Sequence, residues 1–171
     1  GDDPYGLIPP YAAALYAGDI AEAARLLADP RFITLQGVAN ILAEPVALPR
    51  AMVARLLDQR AAAAAYAAEI TAYFRARTWP LRQQPAVALC LVRAAAYAGR
   101  DAEALEMASA LRRDLAGKES NDDVVILNEL GRVYALLGAR EEAVACLRTL
   151  MTGLSASPWG SPLSIRIDPC W

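Results

Sequence analysis

The chain has 171 residues, three cysteines, no histidine and a formal net charge of −2. Without histidine it lacks the commonest general base and metal ligand near neutral pH, which excludes Ser-His-Asp and Cys-His catalytic arrangements. The slightly acidic balance argues against nucleic acid as a partner, and a hydrophobic content of 56% with only 7% aromatic residues points to helices packed through small side chains.

The elements read as helices throughout, because no Asn-Gly or Asp-Gly hairpin turn and no alternating Ile/Val runs occur. Pro9 and Pro10 suit the first turn of a helix that carries Tyr11, Leu15 and Tyr16 to Gly18. Asp19 caps a second helix with the stripe Ile20, Ala23, Ala24 and Leu27, broken at Asp29-Pro30. Residues 32–42 and 48–57 are two further candidates, separated by Glu44-Pro45, with Pro49 in the first turn of the latter. A long helix over residues 60–77 buries Ala63, Tyr66, Ala67, Ile70, Tyr73 and Phe74. Thr78-Trp79-Pro80 breaks it, and the next helix covers residues 81–97.

After Gly99 another helix leads to a linker at Gly117-Lys118-Glu119, and Ser120-Asn121-Asp122-Asp123 forms a capping box. Leu130, Val133, Tyr134 and Leu137 share a helix face that ends at Gly138. Glu141 and Glu142 then stand in the first turn of a last helix with the stripe Ala143, Val144, Leu147, Leu150, Met151 and Leu154. Residues 1–154 are thus expected to form one helical domain. Residues 155–171 are a Pro/Gly/Ser-rich tail whose Leu163, Ile165, Ile167 and Trp171 are expected to pack back on the last hairpin.

One turn recurs. Glycine is followed by Glu four residues later and Ala five later at Gly18, Gly99 and Gly138. Those glycines lie 81 and 39 residues apart, close to two units and one unit of about 40 residues, a period seen in helical solenoids. A diverged turn is therefore expected near residue 58, at Asp58-Gln59-Arg60, which makes four helical hairpins.

Leu130-Gly131, Tyr134, Gly138 and Ala143, at these offsets, resemble a tetratricopeptide (TPR) repeat. Ile165-Arg166-Ile167-Asp168-Pro169-Cys170-Trp171 and Leu27-Ala28-Asp29-Pro30-Arg31-Phe32 resemble wording at the ends of bacterial TPR regions, which are often fused to signalling modules. The resemblance implies an all-α, TPR-like α-α superhelix of about four hairpins, in the C-terminal region of a larger signalling protein. It also implies a concave groove lined by the first helix of each hairpin. Arg93 and Arg132 stand six residues before their glycines, Tyr16 and Tyr97 two before theirs, and Asn128 four before Arg132. In TPR proteins these offsets face the groove.

Arginine pairs bidentately with carboxylates, asparagine holds an extended backbone, and tyrosine supplies contact area at low entropy cost. Residues 50–118 carry 11 basic against 6 acidic side chains, which either favours an acidic partner segment or, the stronger reading, is an arginine-rich solvated face. The expected function is therefore a non-catalytic scaffold that binds a protein or peptide segment. The alternative for these side chains is that both tyrosines pack between hairpins while the arginines are solvated or pair with Glu103 or Glu129.

No catalytic residue, metal or cofactor is expected. The carboxylate pairs Asp122-Asp123 and Glu141-Glu142 stand at helix starts, where capping accounts for them, and Cys90, Cys146 and Cys170 have no metal-site or disulfide spacing. No apolar run of about 20 residues predicts a membrane span. The default compartment is the cytoplasm, a default that a fragment stripped of a targeting or transmembrane segment would not obey. Two other functions fit the pattern: a ligand-sensing regulatory domain of a kinase or transcription regulator, and a homodimerisation module.

Overall fold

The computed structural model describes residues 8–29, 45–116 and 121–153. Among them are eight α-helices and no strand: α1 (Ile8–Tyr16), α2 (Ile20–Leu27), α3 (Ala47–Leu56), α4 (Arg60–Arg75), α5 (Gln84–Tyr97), α6 (Asp101–Leu115), α7 (Asn121–Leu136) and α8 (Arg140–Gly153). The expected helix over residues 32–42, Ser120 of the capping box and the packing of residues 155–171 lie outside the described residues.

The helices pair in succession, α1 with α2, α3 with α4, α5 with α6 and α7 with α8. A single turn makes all four hairpins. Gly18, Asp58, Gly99 and Gly138 have φ of 72°, 55°, 75° and 74°, so the left-handed residue recurs at intervals of 40, 41 and 39 residues. The N–H of that residue donates to the carbonyl three back, and the next N–H donates to the carbonyl five back. These bonds run Gly18 to Leu15 (3.0 Å) and Asp19 to Ala14 (2.9 Å), Asp58 to Arg55 (3.1 Å) and Gln59 to Ala54 (2.8 Å). They recur from Gly99 to Ala96 (3.1 Å) and Arg100 to Ala95 (3.0 Å), and from Gly138 to Ala135 (3.1 Å) and Ala139 to Tyr134 (2.9 Å). This is the paired-bond helix stop that satisfies the last carbonyls of the first helix. Asp58 occupies the expected diverged turn.

Five residues after each turn stands an alanine: Ala23, Ala63, Ala104 and Ala143, all buried. Four residues before it stand the buried Ala14, Ala54, Ala95 and Tyr134. In the first three hairpins both positions hold alanine, and such small side chains let the two helices approach closely, which is where much of the alanine goes; in the last hairpin Tyr134 stands where the others have the first alanine. Asp19 caps α2 as expected, its carboxylate accepting from Glu22 N at 3.0 Å.

Two boundaries differ from the sequence reading. Helix α4 stops at Arg75, and residues 76–80 are tied back by Trp79, whose Nε1 donates to the Phe74 carbonyl at 2.9 Å. The expected first turn of α5 is instead a separate 3₁₀ turn, Leu81–Gln83, between Pro80 and Pro85. Proline has no N–H to donate, so the α-helical ladder begins only after this turn.

The core runs through the hairpins as three linked clusters. The first joins Ala14, Leu26 and Leu27 to Val46 and Val53. The second joins Leu48 and Ala51 to Ile70, Phe74, Cys90 and Tyr97. The third joins Leu89 and Val92 to Leu111, Leu130, Tyr134 and Cys146. Helices α3 and α5 each contribute to two clusters. Beyond the hairpin pairs, α3 packs on α5 and α5 on α7, while α2, α4 and α6 each pack on the helix that follows.

Candidate interaction surface on the first helices

Because α3, α5 and α7 lie side by side, residues at equal distances from their turns fall on neighbouring helices. Residues four apart share a helix face, so Arg93 and Tyr97 stand together on α5, and Asn128, Arg132 and Leu136 on α7. Glu129 joins two of the five candidate residues, Arg93 on α5 and Arg132 on α7, and Arg93 in turn reaches Tyr97. Arg93 Nε donates to the Tyr97 hydroxyl at 3.3 Å and lies 3.7 Å from Glu129 Oε2. Arg132 Nη1 donates to Glu129 Oε1 at 2.7 Å. The side chains are 11%, 18% and 30% exposed for Arg93, Glu129 and Arg132.

A carboxylate shared by two guanidiniums on adjacent helices fixes the spacing and rotation of α5 against α7. Its enclosure strengthens the pairing, at the cost of stripping water from the charges. Asn128 is half-buried on α7. Tyr97 is buried and packs on Cys90 and Ala94 with residues of α3 and α4. Glu103, the other expected carboxylate, pairs instead with Arg100 at 2.8 Å. Of the cluster's side chains, Arg132 is the one most open to solvent.

Tyr16 stands elsewhere. It is 53% exposed at the end of α1, with the α3–α4 hairpin between it and α5 in chain order. Its position two before the turn is nonetheless informative, because the same position holds Leu56 on α3 and Leu136 on α7, which are also exposed. Tyr16, Leu56, Tyr97 and Leu136 thus form a series at equal steps from the four turns, three of them open to solvent. Leu56 and Leu136 are absent from the sequence-derived candidates, although counting back two from Asp58 and Gly138 reaches them.

The other reactive groups are structural in their setting. Cys90 and Cys146 are buried free thiols. Burial raises the Cys146 thiol above its ordinary 9.0 and the Tyr134 phenol above its ordinary 10.0, so both are held protonated inside the last core cluster. Among the described residues no group of three or more His, Cys, Asp or Glu side chains is placed to hold a metal ion. No described helix is long and apolar enough to cross a membrane.

An apolar series with a guanidinium beside it can take up a peptide that offers apolar side chains and a carboxylate. No protein family, curated protein or solved structure matches the chain.

Proposed function

We propose that this chain is a non-catalytic protein-interaction module. In this reading it is a TPR-like solenoid within a larger bacterial signalling protein, and it holds a peptide or protein segment against the first helices of its hairpins. The observation that carries the reading is the fourfold turn with its interval of 39 to 41 residues. Hairpins made by one turn, with α3, α5 and α7 packed in series, repeat a surface position at a regular step, and repeated positions suit an extended chain. Tyr16, Leu56 and Leu136 supply recurring apolar contacts, and Arg132 supplies a charged anchor for an acidic segment. Arg93 and Tyr97, more deeply enclosed, hold Glu129 and α5 in place behind that surface.

The test is selection of binders from a displayed random-peptide library on the full chain, followed by titration of the enriched peptides against Arg132→Ala and Leu136→Asp. The proposal predicts enriched peptides with apolar residues beside Asp or Glu. It also predicts at least about tenfold weaker binding by Leu136→Asp, the size expected for a central apolar contact. Equal binding by both variants, or no enrichment, would remove the reading.

A further inference from the structure

Beside Leu56, in the last turn of α3, stands Arg55, which neither the sequence candidates nor the surface described above include. Its Nη1 lies 3.7 Å from where a Cβ on Gly99 would stand, so this side chain of α3 reaches across to the end of α5. It is half-buried there. Both helices end beside it, and the negative ends of their dipoles favour a cation at that place. The guanidinium is held without being used: Asp58, three residues on, pairs with Arg60 at 3.0 Å, and among the described residues no hydrogen bond or ion pair engages the Arg55 side chain. Nor does the hairpin need an arginine here. Three residues before the other turns stand Leu15, Ala96 and Ala135.

We infer that Arg55 is a second carboxylate-binding side chain of the surface, and that the segment bound there carries two apolar anchors about five or six residues apart, each with an acidic residue beside it. The inference rests on the interaction surface proposed above and adds to it the chemistry and spacing of the ligand. Arg55 with Leu56 on α3 matches Arg132 with Leu136 on α7: each pairs a guanidinium with an exposed leucine two residues before a turn. A guanidinium with uncommitted donors takes a carboxylate bidentately. The spacing follows from the helices between the two pairs. Both α3 and α7 pack on α5, and packed helices stand about 8–10 Å apart, which puts the pairs about 16–20 Å from each other. An extended chain rising about 3.3 Å per residue covers that in about five or six residues. Over α5 the row dips, because Tyr97 at the same step is buried. The residues between the anchors therefore meet no protruding side chain of that row.

The experiment takes peptides enriched on the full chain from a displayed random library, replaces their acidic residues one at a time by Asn or Gln, and titrates each form against wild type and Arg55→Gln. The expected peptides have apolar residues about five or six apart with an acidic residue beside each, and Arg55→Gln binds them at least about tenfold more weakly. Against the one peptide form that lacks the acidic residue meeting Arg55, the same substitution costs nothing further. Binding that depends on Leu136 but is unchanged in Arg55→Gln, or that falls by the same factor for every peptide form, would overturn the role of Arg55 and leave the interaction surface standing. A different enriched spacing would overturn the ligand pattern in the same way. No enrichment at all would remove both readings.

Discussion

Arg50 on α3 donates two hydrogen bonds to one backbone carbonyl, that of Leu27 at the end of α2, from Nε at 3.1 Å and Nη2 at 2.8 Å. The last carbonyls of a helix have no partners within it and carry the negative end of its dipole, so a guanidinium there satisfies both. This contact ties the first hairpin to the second at a place where their cores meet. Replacing Arg50 with Ala is expected to lower stability by about 1.5–3 kcal/mol, the range for a hydrogen bond to a charged group. Arg50→Lys should recover only part of that, because an ammonium cannot present the planar fork. Urea unfolding of the two variants measures this; equal stability of Ala and wild type would show that the contact contributes nothing net.

The turn at Asp58 holds a non-glycine residue at φ 55°. That backbone costs a residue with a Cβ about 1 kcal/mol, partly offset by glycine's greater freedom in the unfolded chain. The exposed pair of Asp58 with Arg60 at 3.0 Å contributes little. Asp58→Gly is therefore expected to stabilise the protein by about 0.5 kcal/mol. Gly138→Ala should destabilise it by about 1 kcal/mol through the backbone alone, since a Cβ there would meet nothing within 4 Å. Thermal unfolding of both variants reads the two signs.

Ala104 is fully buried between α5, α6 and α7. Extra methylenes at such a site force neighbours off their rotamers, and Ala104→Leu is expected to cost about 1–3 kcal/mol. The same substitution at the exposed Ala102 should be close to neutral. A comparison of denaturant midpoints checks the contrast.

Alkaline pH should weaken the fold at the last hairpin. Burial raises both Cys146 and Tyr134 above their ordinary values of 9.0 and 10.0, so the folded protein keeps protons that the unfolded chain gives up. Their contribution is complete below about pH 9 and declines as pH rises through the thiol and then the phenol range. Urea midpoints measured from about pH 8 to about pH 11 should fall, and Cys146→Ala should flatten the first part of the decline. A midpoint constant across that range in the wild type would contradict the burial of these two groups.

The turns were legible wherever glycine marked them, because the left-handed backbone is the one conformation that glycine adopts without cost. Asp58 carries no such mark and was reachable only through the interval between its neighbours. Asp19 was readable as a cap because its side chain acts on its own helix. Arg50 is not readable in the same way, because its partner lies on another helix and nothing local says that the end of α2 meets α3. Glu129 is readable as a partner of the arginines, Arg132 standing three residues away on the same helix, but nothing local says that Arg93 of α5 closes on it as well. Register alone places Arg93 and Arg132 at matching positions of neighbouring helices, but how deeply each is enclosed depends on the packing of α5 against α7. The 3₁₀ turn before α5 was missed because apolar spacing does not distinguish it from a first α-helical turn.

The central claim is that a bound segment lies on the first helices. The most direct measurement is the set of side-chain methyl NMR shifts on adding a peptide selected by the full chain. The expected result is shifts at Leu56 on α3 and Leu136 on α7, with Leu111 of the α6 core and Val144 of the α8 face unmoved. Shifts confined to Val144 and Met151, or no shifts at peptide saturation of the chain, would contradict it.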